Sequence, residues 1–207
     1  AACEAGVQVR VHLKMDTGMS RIGFLCQREQ ELTEAVDQAE RVCRLPGLIP
    51  EGIFTHFASA DEEAGEAFTR LQFALFEGII ARLAERGIRF ALKHCCNSAA
   101  TLLYPEMHMD LVRPGLILYG LLPAPWLDGR LPLRPAMELK TAVSMVKEVP
   151  AGSVVSYGRT YTTQTATALA TVPIGYADGY PRSFSNRASM LVKGSRASVV
   201  GRVCMDQ

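Results

Sequence analysis

The chain has 207 residues, of which 48% are hydrophobic and 21% are charged. This length accommodates one large domain or two modest ones with a substantial core. The 22 basic and 21 acidic residues give a formal net charge of +1. Because these charges are spread along the chain, no basic footprint for nucleic acid or an anionic membrane is predicted. We expect a small-molecule partner.

The cysteines and apolar runs indicate neither a metal site nor a membrane protein. Six cysteines occur without a C-x-x-C pair or regular spacing, so we expect free thiols in a reducing cytoplasm, with no zinc site or disulfide framework. The longest apolar run is too short to span a bilayer, and a signal-peptide pattern is missing. The chain starts without Met and stops without a terminal helix, which indicates a partial chain.

Strands and helices alternate along the first half of the sequence. Alternating apolar residues predict strands, and apolar residues three or four apart predict helices. This order is typical of parallel α/β barrels. The second helix should bury one face made of Phe68, Leu71, Leu75, Ile79 and Leu83. The predicted strands cover 7–13, 48–56, 88–94 and 111–119, and the predicted helices cover 32–43, the segment between 63 and 87, and 98–103.

The second half has a different pattern. A linker rich in proline and turn residues follows Gly120. Short β-branched segments then predict strands at 139–149, 153–161, 167–174 and 188–203, the last with a turn at Lys193-Gly194. The predicted fold class is therefore α/β plus β. We expect the C-terminal part of a (β/α)8 TIM-type barrel at 1–125 and a mainly β domain, also partial, at 126–207.

Polar residues recur where the predicted barrel strands end, which is the end at which such barrels build active sites. Lys14 and Arg21 follow the first strand, His56 closes the second, and His94 closes the third. Taken singly, the two cations are typical of solvated loop charges, and a lone histidine is more often a satisfied core residue. Their repetition over successive strands favours a pocket.

Seven segments carry a resemblance to a known family. They match bacterial alanine racemases, which depend on pyridoxal phosphate and have fold type III, in order and approximate spacing over nearly the whole chain. The segments are Lys-Met-Asp-Thr-Gly-Met, Thr-His-Phe-Ala, His-Cys-x-Asn-Ser, Val-Arg-x-Gly, Val-Ser-Tyr-Gly, Pro-Ile-Gly-Tyr-Ala-Asp-Gly and Cys-Met-Asp-Gln.

The resemblance also implies what this chain lacks. In the family, the lysine that forms the Schiff base with pyridoxal phosphate lies in an earlier barrel strand, before residue 1. A late tyrosine that contacts the cofactor phosphate lies beyond Gln207. We therefore expect the isolated chain to be inactive. Its open barrel edges should make it fold poorly or associate.

Three residues match the catalytic groups of the family. Tyr157 matches the base that exchanges the Cα proton on the face opposite the lysine. A phenol with a pKa of ~10 can do this only if nearby cations and hydrogen bonds favour the phenolate. Arg113 matches the arginine that faces the pyridine nitrogen, and His56 matches the histidine that links this arginine to the tyrosine. Without the resemblance, Tyr157 would be interpreted as a cross-strand packing aromatic.

Further matches concern binding. Ser98 and the backbone amides of Gly115 and Leu116 match the phosphate-binding groups, with Asn97 supporting the cofactor face beside Arg113 and His56.

The substrate side has its own set of matches. Arg21 and the main chain of Met205, with Asp206 adjacent, match groups that hold the substrate carboxylate. Tyr176 matches a tyrosine at the substrate entrance. Lys14 matches a lysine that is often carbamylated, giving an anion that holds Arg21.

The implied function is alanine racemisation by a two-base mechanism in a homodimer with shared active sites, supplying D-alanine for peptidoglycan. A serine racemase of the same family stays open, as does a pyridoxal phosphate carrier without catalysis. The carrier is disfavoured because such proteins lack the second domain. A decarboxylase with Cys204 as its catalytic thiol is disfavoured because those enzymes pair the pyridine nitrogen with a carboxylate, where this chain has Arg113.

Overall fold

The computed structural model describes residues 2–207 as two compact units, a first that ends at Met137 and a second, Glu138–Gln207. The first unit contains a parallel sheet in the order β2-β1-β3-β4. Its strands are β1 (Val9–Asp16), β2 (Phe24–Leu25), β3 (Leu48–Phe54) and β4 (Leu92–His94), and its helices are α1 (Leu32–Cys43), α2 (Glu66–Glu85) and α3 (Ser98–Leu103).

The two faces of this sheet have different chemistry. Leu13 and Met15 of β1 are buried with Ile53 of β3 in the apolar core shared with α1 and α2. The alternate residues of β1 point to the opposite face, because side chains alternate along a strand. On that face Lys14 pairs in register with Phe54, and Phe54 pairs with His94. The polar residues therefore share the face opposite the helices.

One irregularity interrupts the pairing of β1 with β3. The register shifts between Val11 and His12, which pair with Pro50 and Gly52, so Glu51 is an extra residue on β3. A bulge of this kind bends a strand and redirects the neighbouring side chains. Here it sets the positions of Glu51 and Gly52 beside His12.

The predicted buried face of α2 is only partly correct. Leu75, Ile79 and Leu83 are buried as predicted, but Phe68 and Leu71 are 40% and 49% exposed. The first turns of α2 instead bury the polar side chains of Thr69 and Gln72. Apolar spacing alone could not locate that face, because it is set by hydrogen bonds rather than by hydrophobic contact.

The fourth predicted strand, 111–119, is wrong. The segment has irregular backbone followed by the 3-10 helix Leu116–Tyr119. Its backbone amides donate to groups outside any neighbouring strand: the Arg113 amide donates to the Cys96 carbonyl, and the Gly115 amide donates to the Ser98 hydroxyl. Pro114 has no amide hydrogen to contribute. A regular ladder cannot form from such partners.

Residues 126–137 belong to the first compact unit, which ends at Met137. The Trp126 indole donates to the Asp61 carbonyl at 2.8 Å, and the Ala136 amide donates to the Tyr119 carbonyl at 2.9 Å. The proline-rich segment is thus anchored to the first unit by named hydrogen bonds.

The second unit consists of antiparallel strand pairs joined by turns. The predicted turn at Lys193-Gly194 is confirmed, but the continuous strand predicted at 153–161 is wrong because a 3-10 turn at Tyr157–Arg159 divides it. The pairs are β5 (Met145–Val149) with β8 (Thr167–Thr171), β6 (Val154–Val155) with β7 (Tyr161–Thr162), and β9 (Ser189–Val192) with β10 (Ser195–Ser198).

Two further properties hold for the described residues. None of the helices within 2–207 has the length and apolar character needed to cross a bilayer. All six cysteines are free thiols. Cys95 and Cys96 are buried side by side, and both thiols donate to the Met107 carbonyl.

Two leucines of α2 test the corrected buried face. Leu83 is fully buried and Leu71 is 49% exposed. In the full-length protein we expect Leu83→Ala to lower the free energy of unfolding by about 2–5 kcal/mol, because a cavity replaces the side chain. Leu71→Ala should cost less than about 1 kcal/mol. Urea denaturation measures both, and equal losses would contradict the assigned face.

Candidate functional site

Arg113 is the centre of the polar cluster in the first unit. One of its terminal nitrogens, Nη2, donates to the Thr55 carbonyl at 2.8 Å and to the Cys95 carbonyl at 3.3 Å, and lies 3.3 Å from Nδ1 of His56. Its other terminal nitrogen makes a short hydrogen bond to Nδ1 of His94. The guanidinium is thus fixed by groups near the ends of β3 and β4.

Phe54 forms the platform beneath this cluster. The His94 ring stacks on it with a centroid separation of 5.0 Å and an interplanar angle of 11°. The Arg113 guanidinium and the Lys14 ammonium lie 5.3 Å and 5.8 Å from its centroid. An aromatic face attracts such cations.

Both histidines that contact Arg113 are held in the neutral form. Burial lowers the pKa of His56 to about 4, and the positive charges of Arg113, Arg21 and Lys14 act in the same direction. Burial likewise lowers the pKa of His94 to about 4, helped by the charge of Arg113. Neutral imidazoles keep an acceptor nitrogen, so they can bond a guanidinium that only donates.

Lys14 is buried within the same cluster. Burial is the main reason that its pKa falls to about 8; Arg113 and Arg21 lower it further, while Asp16 opposes them. Its ammonium donates to the Met15 carbonyl at 2.7 Å. At pH 8, Lys14 is therefore a neutral, nucleophilic amine in a large fraction of the molecules.

The loop after β1 is shaped by Asp16. One oxygen of its carboxylate accepts from three consecutive amides, Gly18, Met19 and Ser20, at 2.9–3.2 Å. This arrangement fixes the turn that leads to Arg21. Arg21 is exposed, and its side chain makes no hydrogen bond or ion pair within residues 2–207.

A buried network supports the loop that carries His56. The Gln72 amide nitrogen lies 3.3 Å from both the Thr17 hydroxyl and the His56 carbonyl, and the Gln72 oxygen accepts from Ala58 at 2.9 Å. The Thr17 and Thr55 hydroxyls are 2.7 Å apart. Sequence reasoning missed Gln72, although a glutamine on the inner side of a predicted helix is a signal for such a network.

Ser98, Asn97 and Gly115 meet after β4. The Asn97 side chain caps α3 by accepting from the Ala100 amide at 3.0 Å. The Gly115 amide donates to the Ser98 hydroxyl at 2.8 Å. A Cβ on Gly115 would meet only that hydroxyl, at 3.8 Å, so the space around Gly115 is open. Leu116, 48% exposed, follows directly.

Tyr157 lies in the turn between β6 and β7 in the second unit and is 72% exposed. The interpretation as a cross-strand packing aromatic is therefore wrong. Ser156 and Arg159, on either side of it, have positive φ angles of 62° and 51°. Non-glycine residues rarely adopt such angles, and they often do so at functional sites.

Segment 202–205 of the same unit connects the turn that carries Tyr157 to the loop that carries Tyr176, and Met205 lies within it. Next to Tyr157, the Ser156 hydroxyl donates to the Arg202 carbonyl at 2.7 Å. The Tyr176 and Ala177 amides donate to the Cys204 and Met205 carbonyls, both at 3.0 Å. Segment 202–205 thus connects the two loops. Asp206 follows and is exposed.

Close approach explains the glycine before Tyr176. A Cβ on Gly175 would stand 2.2 Å from the Met205 carbonyl oxygen. No side chain fits there while the loop keeps its hydrogen bonds to segment 202–205.

The predicted site residues therefore form two groups. The first unit gathers Lys14, His56, Asn97, Ser98, Arg113 and Gly115 near the ends of β1, β3 and β4, with Arg21 in the loop after β1 and Leu116 after Gly115. The second unit gathers Tyr157, Tyr176, Met205 and Asp206 around its last segment. His94, which the sequence placed at a strand end without a role, belongs to the first group as a partner of Arg113.

Comparison with known proteins gives consistent matches. The family model for the alanine racemase N-terminal domain matches residues 1–123, and that for the C-terminal domain matches residues 136–207. The alanine racemases of Desulforamulus reducens and Desulfovibrio desulfuricans are 53% and 49% identical over 98% and 100% of this chain. The chain covers 53% and 54% of their lengths, so it spans about half of the relatives it matches.

Solved structures agree with these matches. The alanine racemase of Clostridium difficile 630 superposes with a TM-score of 0.89 at 42% identity, over 99% of this chain and 52% of that one. The Bacillus anthracis alanine racemase with bound L-Ala-P gives 0.82 at 38% identity, over 99% and 53%. The predicted fold class, a partial (β/α)8 barrel followed by a mainly β domain, is confirmed.

The low pKa values of the two Arg113-bound histidines can be tested by NMR. Because both are near 4, we expect the ring signals of His56 and His94 to stay constant between pH 5.5 and 8. In Arg113→Met, which removes a positive charge from both, their midpoints should move upward. A midpoint near 6.5 for either ring in the unsubstituted protein would contradict the assigned neutral state.

Proposed function

The chain belongs to the alanine racemase family, and from that premise we propose that the full protein interconverts L-alanine and D-alanine with pyridoxal phosphate. The carrying observation is the fixed guanidinium of Arg113, bonded to two neutral histidines. Relatives have been solved with L-Ala-P bound and in complex with cycloserine. Both are small amino-acid-like molecules, which supports a small amino acid as substrate.

The residues present fit the phosphate and the ring of this cofactor. Ser98 and Gly115 bond each other at 2.8 Å in open space, and a hydroxyl with adjacent amides suits a phosphate dianion. We assign the amide of Leu116 to the same anion. We assign Asn97 to the support of the cofactor face; its side chain also donates to the Phe57 carbonyl at 3.4 Å.

Arg113 explains the choice of reaction. When bound, pyridoxal phosphate supplies an electron sink for the negative charge that develops at the substrate Cα. Burial lowers the pKa of Arg113, but a guanidinium in a protein keeps its proton, so it donates to a ring nitrogen without protonating it. A carboxylate partner, as in the decarboxylases considered above, would favour the protonated and stronger sink. Arg113 therefore favours proton return over side reactions.

Racemisation requires a proton acceptor on each face of Cα. We assign Tyr157 to one face, with the proton held at its phenol oxygen; the resemblance to the family gives the other face to the Schiff-base lysine. The exposure of Tyr157 in the described unit leaves its hydroxyl free to meet a substrate. His56, bonded to Arg113 at 3.3 Å, is assigned to link that guanidinium to the phenol.

Arg21 and the last segment are assigned to the substrate carboxylate. Arg21 makes no contact with an acid among residues 2–207, and its planar donors suit a carboxylate. The Met205 main chain, with Asp206 beside it, completes the clamp, and Tyr176 lines the entrance. Following the resemblance to the family, we propose a homodimer in which the second unit, which carries Tyr157 and Met205, serves the partner's barrel. We place this protein in the cytoplasm, where it would provide D-alanine for peptidoglycan.

Tyr157 is tested by substitution in the full reading frame. We expect Tyr157→Phe to lower the rate of L-alanine racemisation by about 10²–10⁴-fold, because a general acid–base group is lost. Cofactor binding, measured by the absorbance of pyridoxal phosphate, should persist. Solvent deuterium exchange at Cα reports the proton step directly.

Tyr161→Phe is the matched control, since Tyr161 lies in β7 of the same hairpin and should lose little activity. Racemisation of L-serine faster than that of L-alanine would favour a serine racemase. Cofactor binding without Cα exchange would favour the carrier without catalysis.

Lys14 is assigned as a carbamate that holds Arg21. Its pKa of about 8 leaves neutral amine available for CO₂ near physiological pH. The ammonium first loses one proton to give the neutral amine, and the amine then adds to the carbon of CO₂ and releases a second proton. The cation thus becomes an anion beside Arg21. We expect a carbamate signal in ¹³C NMR after equilibration with ¹³C-bicarbonate.

The signal should disappear in Lys14→Arg and persist in Lys93→Arg, where Lys93 is paired with Asp110 at 2.7 Å. A signal that survives Lys14→Arg would assign the carbamate to another amine.

A further inference from the structure

His12 lies on the polar face of β1, next to His94, and has no role in the function proposed above. Its Nδ1 is 2.8 Å from Nε2 of His94. The two ring centroids are 5.0 Å apart with an interplanar angle of 47°. His12 thus extends the hydrogen-bond chain that begins at Arg113 by one further imidazole.

The chain of bonds has a fixed direction. A guanidinium can only donate, so Nδ1 of His94, which bonds Arg113, must be an acceptor. Neutral His94 then carries its proton on Nε2 and donates it to Nδ1 of His12. His12 in turn must keep Nδ1 unprotonated and carry its own proton on Nε2. The geometry therefore specifies one tautomer for each ring.

The backbone around His12 is shaped to admit its ring. Gly52 pairs with His12 across β1 and β3. A Cβ on Gly52 would stand 2.4 Å from two atoms of the His12 ring, so any other residue there would displace the imidazole. The bulge at Glu51 sets this register. A glycine and a bulge in one strand thus both serve the position of one side chain.

Glu51 favours the required tautomer of His12. One of its oxygens lies 3.8 Å from Nε2 of His12, and the other bonds Arg10 at 2.7 Å. A carboxylate on that side attracts the proton to Nε2. Two other charged groups act on the pair. The positive charge of Arg113 disfavours protonation of His94, whereas the negative charge of Asp110 favours it.

We propose that His12 is a positioning residue for Arg113: it accepts from His94 and so holds His94 in the tautomer whose Nδ1 accepts from the guanidinium. This inference depends on the proposed function only for the role of Arg113. Without His12, His94 loses its acceptor and is free to place its proton on Nδ1. That nitrogen would then present a donor to a donor, and the guanidinium would turn away from it.

The test is long-range ¹H–¹⁵N NMR of the histidine rings in the full-length protein with pyridoxal phosphate bound. At pH 7 we expect His94 to be neutral with its proton on Nε2, which it donates to an unprotonated Nδ1 of His12. In His12→Leu the signals of His94 should change to a mixture of tautomers. In His12→Asn, whose amide oxygen replaces Nδ1 as an acceptor, the Nε2 tautomer of His94 should be restored.

Kinetics give a second measurement. We expect kcat for L-alanine to fall on the order of tenfold in His12→Leu, since misplacing a reacting group is costly, with KM almost unchanged. His12→Asn should recover most of that loss.

The proposal is overturned if His94 carries its proton on Nδ1 or on both nitrogens in the unsubstituted protein. It is also overturned if His12→Leu leaves the His94 tautomer unchanged, whatever happens to activity. Because the tautomers are measured without turnover, a protein that proves not to racemise alanine would refute the proposed function while leaving this test intact.

Discussion

The hydrogen bonding of one partly buried guanidinium governs the polar half of the first unit. Arg113 can only donate, so each neighbour must accept, and its charge must be tolerated where water is scarce. Two carbonyls and two imidazoles meet this requirement. Burial and the charge of Arg113 itself hold both imidazoles neutral. The cation and its acceptors therefore stabilise one another, and removing any one of them alters the rest.

This requirement extends through the sheet because side chains on one face share a register. Lys14, Phe54 and His94 form one row across β1, β3 and β4, and His12 and Gly52 form the row before it. Arg113 sits where the rows reach the strand ends. Strand pairing and one bulge thus fix the position of the guanidinium. Both are rigid elements suited to positioning a reactive group.

The sequence could predict what depends on local patterns. The alternation of strands and helices, the helix at Leu32–Cys43 and the turn at Lys193-Gly194 follow from periodicity and turn chemistry. The resemblance supplied candidate residues that spacing alone would have left as loop charges. The fourth strand was wrong because the donors of segment 111–119 bond to a hydroxyl and a loop carbonyl. The place of Gln72 on the inner side of a predicted helix was a signal, but its partners could not be predicted. Neither could those of His12, since each set of contacts joins residues distant in sequence.

Charge balance gives the last constraint on the chemistry. No carboxylate within residues 2–207 forms an ion pair with Lys14, Arg21 or Arg113. Asp16, which does act on Lys14, has an oxygen engaged by three loop amides. The pKa of Lys14 is lowered mainly by burial and further by the positive charges of Arg113 and Arg21. Anions relieve this repulsion, and the proposed function provides three of them: a phosphate, a substrate carboxylate and a carbamate on Lys14. The positive charge of Lys14, Arg21 and Arg113 thus favours the binding of negatively charged ligands.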